Sequence, residues 1–214
     1  MNCDKNNLML YAVTDRAWTG ERTLYEQIED ALCGGVTIVQ LREKNMAEED
    51  FYQEAMIVKK LCARYRVPLL INDHVALACR VDADGVHVGQ NDMAAGTVRA
   101  MIGPEKILGV SVQTVEQALQ AEAAGADYLG VGAVFTTSTK QDACEVSIDT
   151  LKAICEAVNI PVVAIGGINK DNIMQLAGSG IAGVALVSAI FASKDIQREC
   201  RELRERVHTM LEKA

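Results

Sequence analysis

The sequence lacks any apolar run long enough to cross a membrane. No run reaches the roughly 18 apolar residues of a membrane helix, and residues 1–6 lack the charged-then-apolar pattern of a secretory signal. An excess of positive charge is also missing: the net charge is −8, whereas nucleic acids and anionic membranes bind clustered positive charge. We therefore expect a cytoplasmic protein that binds small molecules rather than nucleic acid or membranes, and a homo-oligomer stays open.

The sequence also lacks paired cysteines. None of the seven cysteines belongs to a Cys-x-x-Cys pair, and an odd number without paired spacing predicts neither a disulfide framework nor a zinc knuckle. Reduced, buried thiols are the simpler interpretation. Cys144 is the exception because it falls in a polar segment where it could be exposed, but nothing near it marks a nucleophile.

Short β-branched segments alternate with helical segments along the whole chain. We predict eight strands, at residues 8–14, 37–41, 68–71, 85–88, 107–112, 128–135, 161–165 and 183–187. No linker or composition shift divides the chain, so residues 1–214 should form a single catalytic domain. Eight alternations in this length predict an α/β fold, the (β/α)8 TIM barrel.

Helix boundaries are suggested by capping signals. Asn45 with Glu48, and Thr114 with Gln117, each have the spacing of a capping box. Gly125 is placed to end the second of these helices, because glycine adopts the left-handed conformation that often follows a helix.

Polar side chains follow five neighbouring predicted strands, where a barrel carries its working groups. Residues 40, 42 and 44 should share a strand face, because side chains alternate along a strand. A single group of this kind is more often a solvated loop residue, but their joint occurrence favours one site. We expect that site to contain Gln40, Arg42, Lys44, Asn72, Asp73, Asp92, Ser111 and Lys140.

The charges of this set predict the ligand class. Arg42 with Lys44 suits phosphate oxygens. Asp73 with Asp92 suits Mg²⁺, which usually takes one or two carboxylates together with substrate phosphates. The expected substrate is therefore a diphosphate, and the expected cofactor is Mg²⁺.

His87 lies within a predicted strand, where an acid–base role is one interpretation. We favour the other, in which the imidazole is hydrogen-bonded inside the barrel and fills space left by Gly85 and Gly89.

A second anion site is predicted across the mouth. Gly166 and Gly167 follow strand seven, where backbone amides can converge on an anion, Asn169 can cap the next helix, and Ser188 ends strand eight. Two anion sites indicate two phosphorylated substrates. The hydroxyl-rich segment 136–145 is longer than usual for a barrel loop and is expected to act as a lid.

Six motifs occur in order along nearly the whole chain: YAVTD at 11–15, QLREK at 40–44, ND at 72–73, GVHVGQND at 85–92, TSTK at 137–140 and GGI at 166–168. Together they resemble the thiamine phosphate synthase family. The resemblance implies a transferase that joins 4-amino-2-methyl-5-hydroxymethylpyrimidine diphosphate to 4-methyl-5-(2-hydroxyethyl)thiazole phosphate, or to its carboxylated form. The products are thiamine phosphate and diphosphate.

The resemblance also implies a role for each site residue. Mg²⁺ would be held by Asp73 and Asp92. The pyrimidine diphosphate would be held by Gln40, Arg42, Lys44, Asn72, Ser111 and Lys140, of which Arg42, Lys44, Ser111 and Lys140 are the expected catalytic groups. The thiazole phosphate would be held by Thr137, Ser138, Thr139, Gly167, Val187 and Ser188.

A dissociative mechanism follows from these charges, because cations that neutralise the departing diphosphate let the pyrimidine methylene leave as a delocalised cation. Relatives often carry proline where Thr136 stands, so the lid is expected to be looser here. The main alternative is a thiazole tautomerase of the same superfamily, which needs no such cation set. A non-catalytic sensor of thiamine precursors and a sugar-phosphate isomerase are further alternatives, and the isomerase would require a carboxylate or histidine base.

Overall fold

A computed structural model describes residues 4–136 and 145–213. Thr137, Ser138, Thr139 and Lys140, for which ligand contacts are predicted, lie outside the described residues, and so does Cys144. Among the described helices, none is both long and apolar enough to span a bilayer.

Eight parallel strands close into a barrel in chain order, which confirms the predicted fold. They are β1 Leu10–Val13, β2 Ile38–Leu41, β3 Leu69–Asn72, β4 Gly85–Val88, β5 Ile107–Val112, β6 Tyr128–Val131, β7 Val162–Ile165 and β8 Gly183–Leu186. Each lies within or overlaps a segment predicted from the sequence.

Helices cover the outside of the barrel. The α-helices are α1 Leu24–Cys33, α2 Glu48–Tyr65, α3 Val75–Val81, α4 Ala95–Ile102, α5 Val115–Ala123, α6 Ile148–Ala157, α7 Ser188–Phe191 and α8 Ile196–Glu212. Short 3₁₀ helices occur at Lys5–Leu8, Arg16–Trp18 and Ile173–Leu176. The connection between β7 and β8 therefore contains a single 3₁₀ turn where the other crossovers carry an α-helix.

Alternating strand residues separate two apolar layers. Val39 and Leu41 pack in the outer layer between strands and helices, whereas Ile38 belongs to the inner layer and Gln40 faces the hydroxyl of the inner residue Tyr11. The predicted alternation of β2 is thereby confirmed. The inner layer comprises Leu8, Tyr11, Val13, Ile38, Leu70, Ile107, Tyr128, Val163 and Ala185.

The amino-terminal end of the barrel is closed by side chains that bond to strand backbones. Asp84 accepts from the Leu69 amide at 2.8 Å, and Asp127 accepts from the Leu108 amide at 2.8 Å. Each aspartate precedes one strand and accepts from an amide near the start of the strand before it, the first residue of β3 and the second residue of β5. These contacts satisfy backbone donors that would otherwise be left unpaired where the ladder ends.

Helix capping follows the sequence signals in part. Thr114 accepts from the Gln117 amide at 3.2 Å, as predicted, but the Gln117 side chain accepts from Gln113 rather than from Thr114. Gly125 follows α5 with a φ of 90°, as its predicted role requires.

The capping box predicted at Asn45 is wrong. The N-cap of α2 is Ala47, which makes no side-chain hydrogen bond. Asn45 lies too far before the first turn to reach its amides, and Glu48, Glu49 and Asp50 complement the helix dipole there instead.

Candidate active site

A cavity of about 340 Å³ opens at the carboxyl ends of the strands. Each of the eight strands contributes at least one residue to its lining. The predicted site residues that line it are Gln40, Arg42, Asn72, Ser111, Gly167, Val187 and Ser188. Residues predicted separately from several strands thus share one cavity.

The floor of this cavity is a chain of hydrogen bonds across the barrel. The Gln40 amide donates to the Tyr11 hydroxyl at 2.6 Å, and the hydroxyls of Tyr11 and Tyr128 are 2.8 Å apart. Tyr128 also bonds to His87 Nδ1 at 2.8 Å, and His87 Nε2 bonds to the Ser111 hydroxyl at 2.8 Å. The two ends of the chain, Gln40 and Ser111, are therefore held by the same buried network.

His87 is hydrogen-bonded inside the barrel, as we favoured from the sequence. The space for its ring is left by a different glycine than predicted: a Cβ on Gly130 would lie 3.1 Å from His87 Cε1, whereas a Cβ on Gly85 would meet Ile107 and one on Gly89 would meet Asp92. Side chains that face each other across a closed barrel come from distant strands, so neighbours in sequence were a poor guide.

Tyr11 and Tyr128 were not identified as site residues from the sequence. Both side chains are fully buried, and their rings meet edge to face with centroids 6.0 Å apart. A tyrosine inside an otherwise apolar strand is a usable signal, because a buried phenol hydroxyl normally has a hydrogen-bond partner.

Arg42 lies at the rim, directly after β2. Its backbone amide donates to the Thr14 hydroxyl at 2.9 Å, and its Nη1 atom lies 3.5 Å from Asp15 Oδ2. The guanidinium group borders the cavity and leaves several N–H donors for an anionic ligand.

Two carboxylates face each other at the neighbouring part of the rim, after β3 and β4, where the charge of Arg42 also acts on Asp73. Burial, together with the hydrogen bond and charge of Asp92, raises the pKa of Asp73 to about 6. Asn72 donates to Asp73 Oδ2 at 2.6 Å, and Asp92 Oδ2 accepts from the Gly89 amide at 2.8 Å. Asp73 has a φ of 59°, a conformation that aspartate tolerates better than most residues.

This acid pair is a suitable donor set for Mg²⁺. Two facing carboxylates repel each other, as the raised pKa of Asp73 reflects, and a divalent cation between them would remove that repulsion. Within residues 4–136 and 145–213, no group of three or more His, Cys, Asp or Glu side chains could hold a metal ion. A cation here would therefore require further oxygen ligands from substrate or water.

Asp73, Asp92 and Lys44 do not line the cavity, and all three residues are exposed overall, although surrounding atoms desolvate the Asp73 carboxyl enough to raise its pKa. For Lys44 the reason is that β2 ends at Leu41, so strand alternation no longer directs residue 44 toward the cavity. Its expected contact with diphosphate stays a prediction.

The far side of the mouth is formed by the turn after β7 and by the end of β8. Gly166 and Gly167 have φ values of 100° and 64°, and a Cβ on Gly167 would lie 2.5 Å from the Thr136 carbonyl oxygen. Only glycine fits this close approach. Asn169 accepts from the Asp171 amide at 2.8 Å, so it forms a local turn, and the 3₁₀ helix that follows has Asn172 as its N-cap.

Comparison with known proteins connects this chain to one family. The family described as thiamine monophosphate synthase matches residues 10–190. The thiamine-phosphate synthase of Ruminiclostridium cellulolyticum is 53% identical over 201 residues, which cover 94% of this chain and 96% of that relative. The thiamine-phosphate synthase of Clostridium tetani is 50% identical over 194 residues, covering 91% of this chain and 93% of the relative.

A solved structure agrees with these sequence matches. The thiamine phosphate pyrophosphorylase from Pyrococcus furiosus is similar with a TM-score of 0.89 and 40% identity, over 97% of this chain and 98% of that chain. The enzyme of the same description from Bacteroides thetaiotaomicron, with a TM-score of 0.64 and 16% identity over 96% of this chain and 98% of that one, shows the fold alone. The family match runs from the first strand of the barrel through the last, so the chain belongs to the thiamine monophosphate synthase family.

Proposed function

We propose that this protein is a transferase that makes thiamine phosphate. It moves the methylpyrimidine group of 4-amino-2-methyl-5-hydroxymethylpyrimidine diphosphate to the ring nitrogen of 4-methyl-5-(2-hydroxyethyl)thiazole phosphate, or of its carboxylated form, and releases diphosphate. With the carboxylated form, carbon dioxide is released as well. One observation carries the proposal: a single cavity in a member of this family joins a cation-bearing rim to a glycine turn on the opposite side.

The pyrimidine diphosphate binds on the side of β2 to β5. Gln40 and Ser111 are fixed at the two ends of the floor network and offer hydrogen bonds to the pyrimidine ring. Arg42 and Asn72 border the same cavity nearer the rim, where the diphosphate lies. The resemblance adds Lys44 and Lys140 to this set as further cations for the leaving group.

The acid pair Asp73 and Asp92 holds Mg²⁺ in this proposal. When bound, the cation supplies positive charge that neutralises the diphosphate as it departs. The pKa of Asp73 is raised first by burial and then by the hydrogen bond and charge of Asp92, and the Asp92 contribution supports the assignment because a cation between the two carboxylates would relieve it.

The thiazole phosphate binds on the far side, at Gly167, Val187 and Ser188. The positive φ of Gly167 turns the backbone toward the cavity, and Ser188 offers a hydroxyl at the end of β8. Thr137, Ser138 and Thr139 are assigned to the same phosphate on the resemblance alone.

The chain's share of catalysis is positioning and electrostatics. Arg42 stabilises charge that develops on the leaving diphosphate, so the pyrimidine methylene departs as a cation that its amino group delocalises. The cavity holds the thiazole nitrogen in line with that carbon and limits the access of water. No protein nucleophile is needed for this step. The Ser111 hydroxyl bonds to His87, but that histidine bonds in turn to the Tyr128 hydroxyl, so the pair belongs to the floor network. A cytoplasmic location belongs to the proposal as well.

The test is an omission series with purified protein. Pyrimidine diphosphate, thiazole phosphate and Mg²⁺ are supplied together and then left out one at a time, while diphosphate release and the mass of thiamine phosphate are followed. We expect product only with all three present. Thiazole isomerisation without condensation would instead support the tautomerase alternative, and tight binding without turnover would support a sensor.

A further inference from the structure

Two loop segments beside the cavity are joined by two ion pairs, and each segment supplies one acidic and one basic residue. Asp15-Arg16 follows β1, and Arg42-Glu43 follows β2. Asp15 Oδ2 lies 3.5 Å from Arg42 Nη1, while Arg16 Nε lies 2.8 Å from Glu43 Oε1. We call these four residues the crossed pairs. Consecutive residues on one loop thus bind consecutive residues on the next with opposite polarity.

The second of the crossed pairs contains a buried charge. The Glu43 side chain is only 5% exposed, and its burial raises the pKa of the carboxyl, an effect that Arg16 opposes. Arg16 Nη2 also donates to both carboxylate oxygens of Glu54 on α2, at 2.5 Å. Buried ion pairs contribute little net stability compared with apolar packing, so a different role has to account for this one.

Arg16 does not reach the substrate cavity. It lines a separate groove of about 380 Å³ on the outside of the barrel, together with Arg22 and Glu54. Glu43 lines neither space. Any effect of these two residues on the reaction must therefore pass through a neighbour, and Arg42 is the adjacent residue that does border the cavity.

Arg42 is held from several directions. The fully buried Thr14 hydroxyl accepts from the Arg42 amide at 2.9 Å and donates to the Arg42 carbonyl at 3.4 Å. Asp15 contacts the guanidinium, and its other carboxylate oxygen accepts from the Ala17 amide at 2.9 Å. A long side chain fixed before binding loses less entropy when the ligand arrives.

We propose that the Arg16–Glu43 ion pair is a positioning element that fixes the loop after β2, so that Arg42 is directed at the diphosphate of the substrate. Arg16, Glu43 and Asp15 are positioning residues, not catalytic ones. This inference rests on the proposed function, because it takes Arg42 as the diphosphate ligand.

The test compares Glu43→Gln and Arg16→Gln with a matched control, Arg22→Gln. Arg22 belongs to the same connection between β1 and α1 and pairs with Asp30 at 2.8 Å, but it contacts neither Arg42 nor Glu43. We expect both test variants to raise KM for the pyrimidine diphosphate about tenfold. KM for the thiazole phosphate should change less than about twofold, and Arg22→Gln should match the wild type.

A double-mutant cycle separates positioning from a general structural effect. In an Arg42→Ala background, Glu43→Gln should have little further effect on kcat/KM, because its action passes through the missing side chain. An undiminished loss in that background would overturn the proposal. So would equal effects on both substrates. Arg16→Gln, at the more exposed end of the pair, provides the same readouts if Glu43→Gln does not fold.

Failure of the proposed function has a different signature. In that case the wild-type protein forms no thiamine phosphate under any condition. Calorimetry with Mg²⁺ and inorganic diphosphate then still decides the role of the crossed pairs: weaker binding by Glu43→Gln, but not by Arg22→Gln, supports it, and equal binding by all three proteins overturns it.

Discussion

Aspartates at the two ends of the barrel have different electrostatic surroundings. At the amino-terminal end, Asp127 accepts from Arg99 at 2.5 Å and from the Leu108 amide at 2.8 Å. At the carboxyl end, Asp73 and Asp92 face each other, and burial and mutual repulsion raise the pKa of Asp73 to about 6. At the closed end the aspartate is in direct contact with an arginine, whereas at the open end Asn72 and the charge of Arg42 offset only part of the burial and repulsion that raise the pKa of Asp73.

Arg99 illustrates how complete the compensation is at the closed end. Its guanidinium donates to the carbonyls of Gly103 and Lys106 at 2.7 Å and of Gly125 at 2.9 Å, in addition to Asp127. One side chain thereby ties the end of α4 and the end of α5 to the start of β6. At the functional end, by contrast, two carboxylates face each other.

The largest expected effect comes from removing charge at the open end. Asp73→Asn and Asp92→Asn should each lower kcat/KM about 100-fold or more, because the developing charge on diphosphate loses its cation site. Asparagine is preferred to alanine at position 73 because it tolerates the left-handed φ of 59°. Steady-state kinetics with varied Mg²⁺ would check this, and thermal unfolding should show no loss of stability. Equal loss of folding would contradict the site assignment.

The converse variant removes a carboxylate from an ion pair at the closed end. Asp127→Asn leaves Arg99 without its carboxylate and should lower the free energy of unfolding by about 3 kcal/mol. Activity per folded molecule should stay within about twofold of the wild type, since the residue lies at the opposite end from the cavity. Denaturant unfolding and active-site-normalised kinetics provide the two readouts. A large loss of kcat with unchanged stability would contradict the conclusion that Asp127 stabilises the fold without taking part in the reaction.

Much of the fold could be predicted from the sequence because its signals are local. Short β-branched strands, their alternation at Gln40 and Leu41, and the glycine turn at Gly166 depend on residues close together in the chain. That Gln40, Arg42, Asn72 and Ser111 share one cavity followed from one further rule, that the carboxyl ends of barrel strands meet at one mouth. The same rule grouped Lys44, Asp73 and Asp92 with them, and these three lie outside the lining.

The contacts that cross the barrel could not be predicted in this way. Tyr11 and Tyr128 are 117 positions apart, and no periodic pattern specifies that their hydroxyls meet. The crossed pairs are also tertiary, since Asp15 and Arg42 come from different loops. Asn45 failed as a cap because the spacing rule ignores where packing actually begins α2.

The pH dependence of the unfolding free energy also tests the difference between the two ends of the barrel. A carboxyl whose folded pKa is raised from 3.8 to about 6 stabilises the fold at low pH, and this contribution is lost as pH rises through 6. In the metal-free wild type, unfolding free energy should therefore fall by about 1 kcal/mol more between pH 4.5 and 7.5 than in Asp73→Asn, a value reduced for the exposure of the residue. Urea titrations with a chelator at several pH values would measure this. Parallel pH profiles for the two proteins would contradict it.

The smallest effect comes from a matched pair of threonines between β1 and β2. At the closed end, the Thr37 hydroxyl accepts from the Leu10 amide at 2.9 Å and donates to the Leu10 carbonyl at 3.0 Å. At the open end, Thr14 makes the same two contacts with Arg42. Thr37→Val and Thr14→Val should each cost about 1 kcal/mol of stability, because each leaves a backbone amide without its acceptor.

Only one of these threonine variants should affect the reaction. Thr14→Val loosens the backbone that carries Arg42, so KM for the pyrimidine diphosphate should rise about threefold while KM for the thiazole phosphate is unchanged. Thr37→Val provides the control, since its equal loss of stability occurs at the end without a ligand. If both variants raised KM alike, the kinetic effect would follow stability rather than the position of Arg42, and the functional distinction between the two ends would be lost.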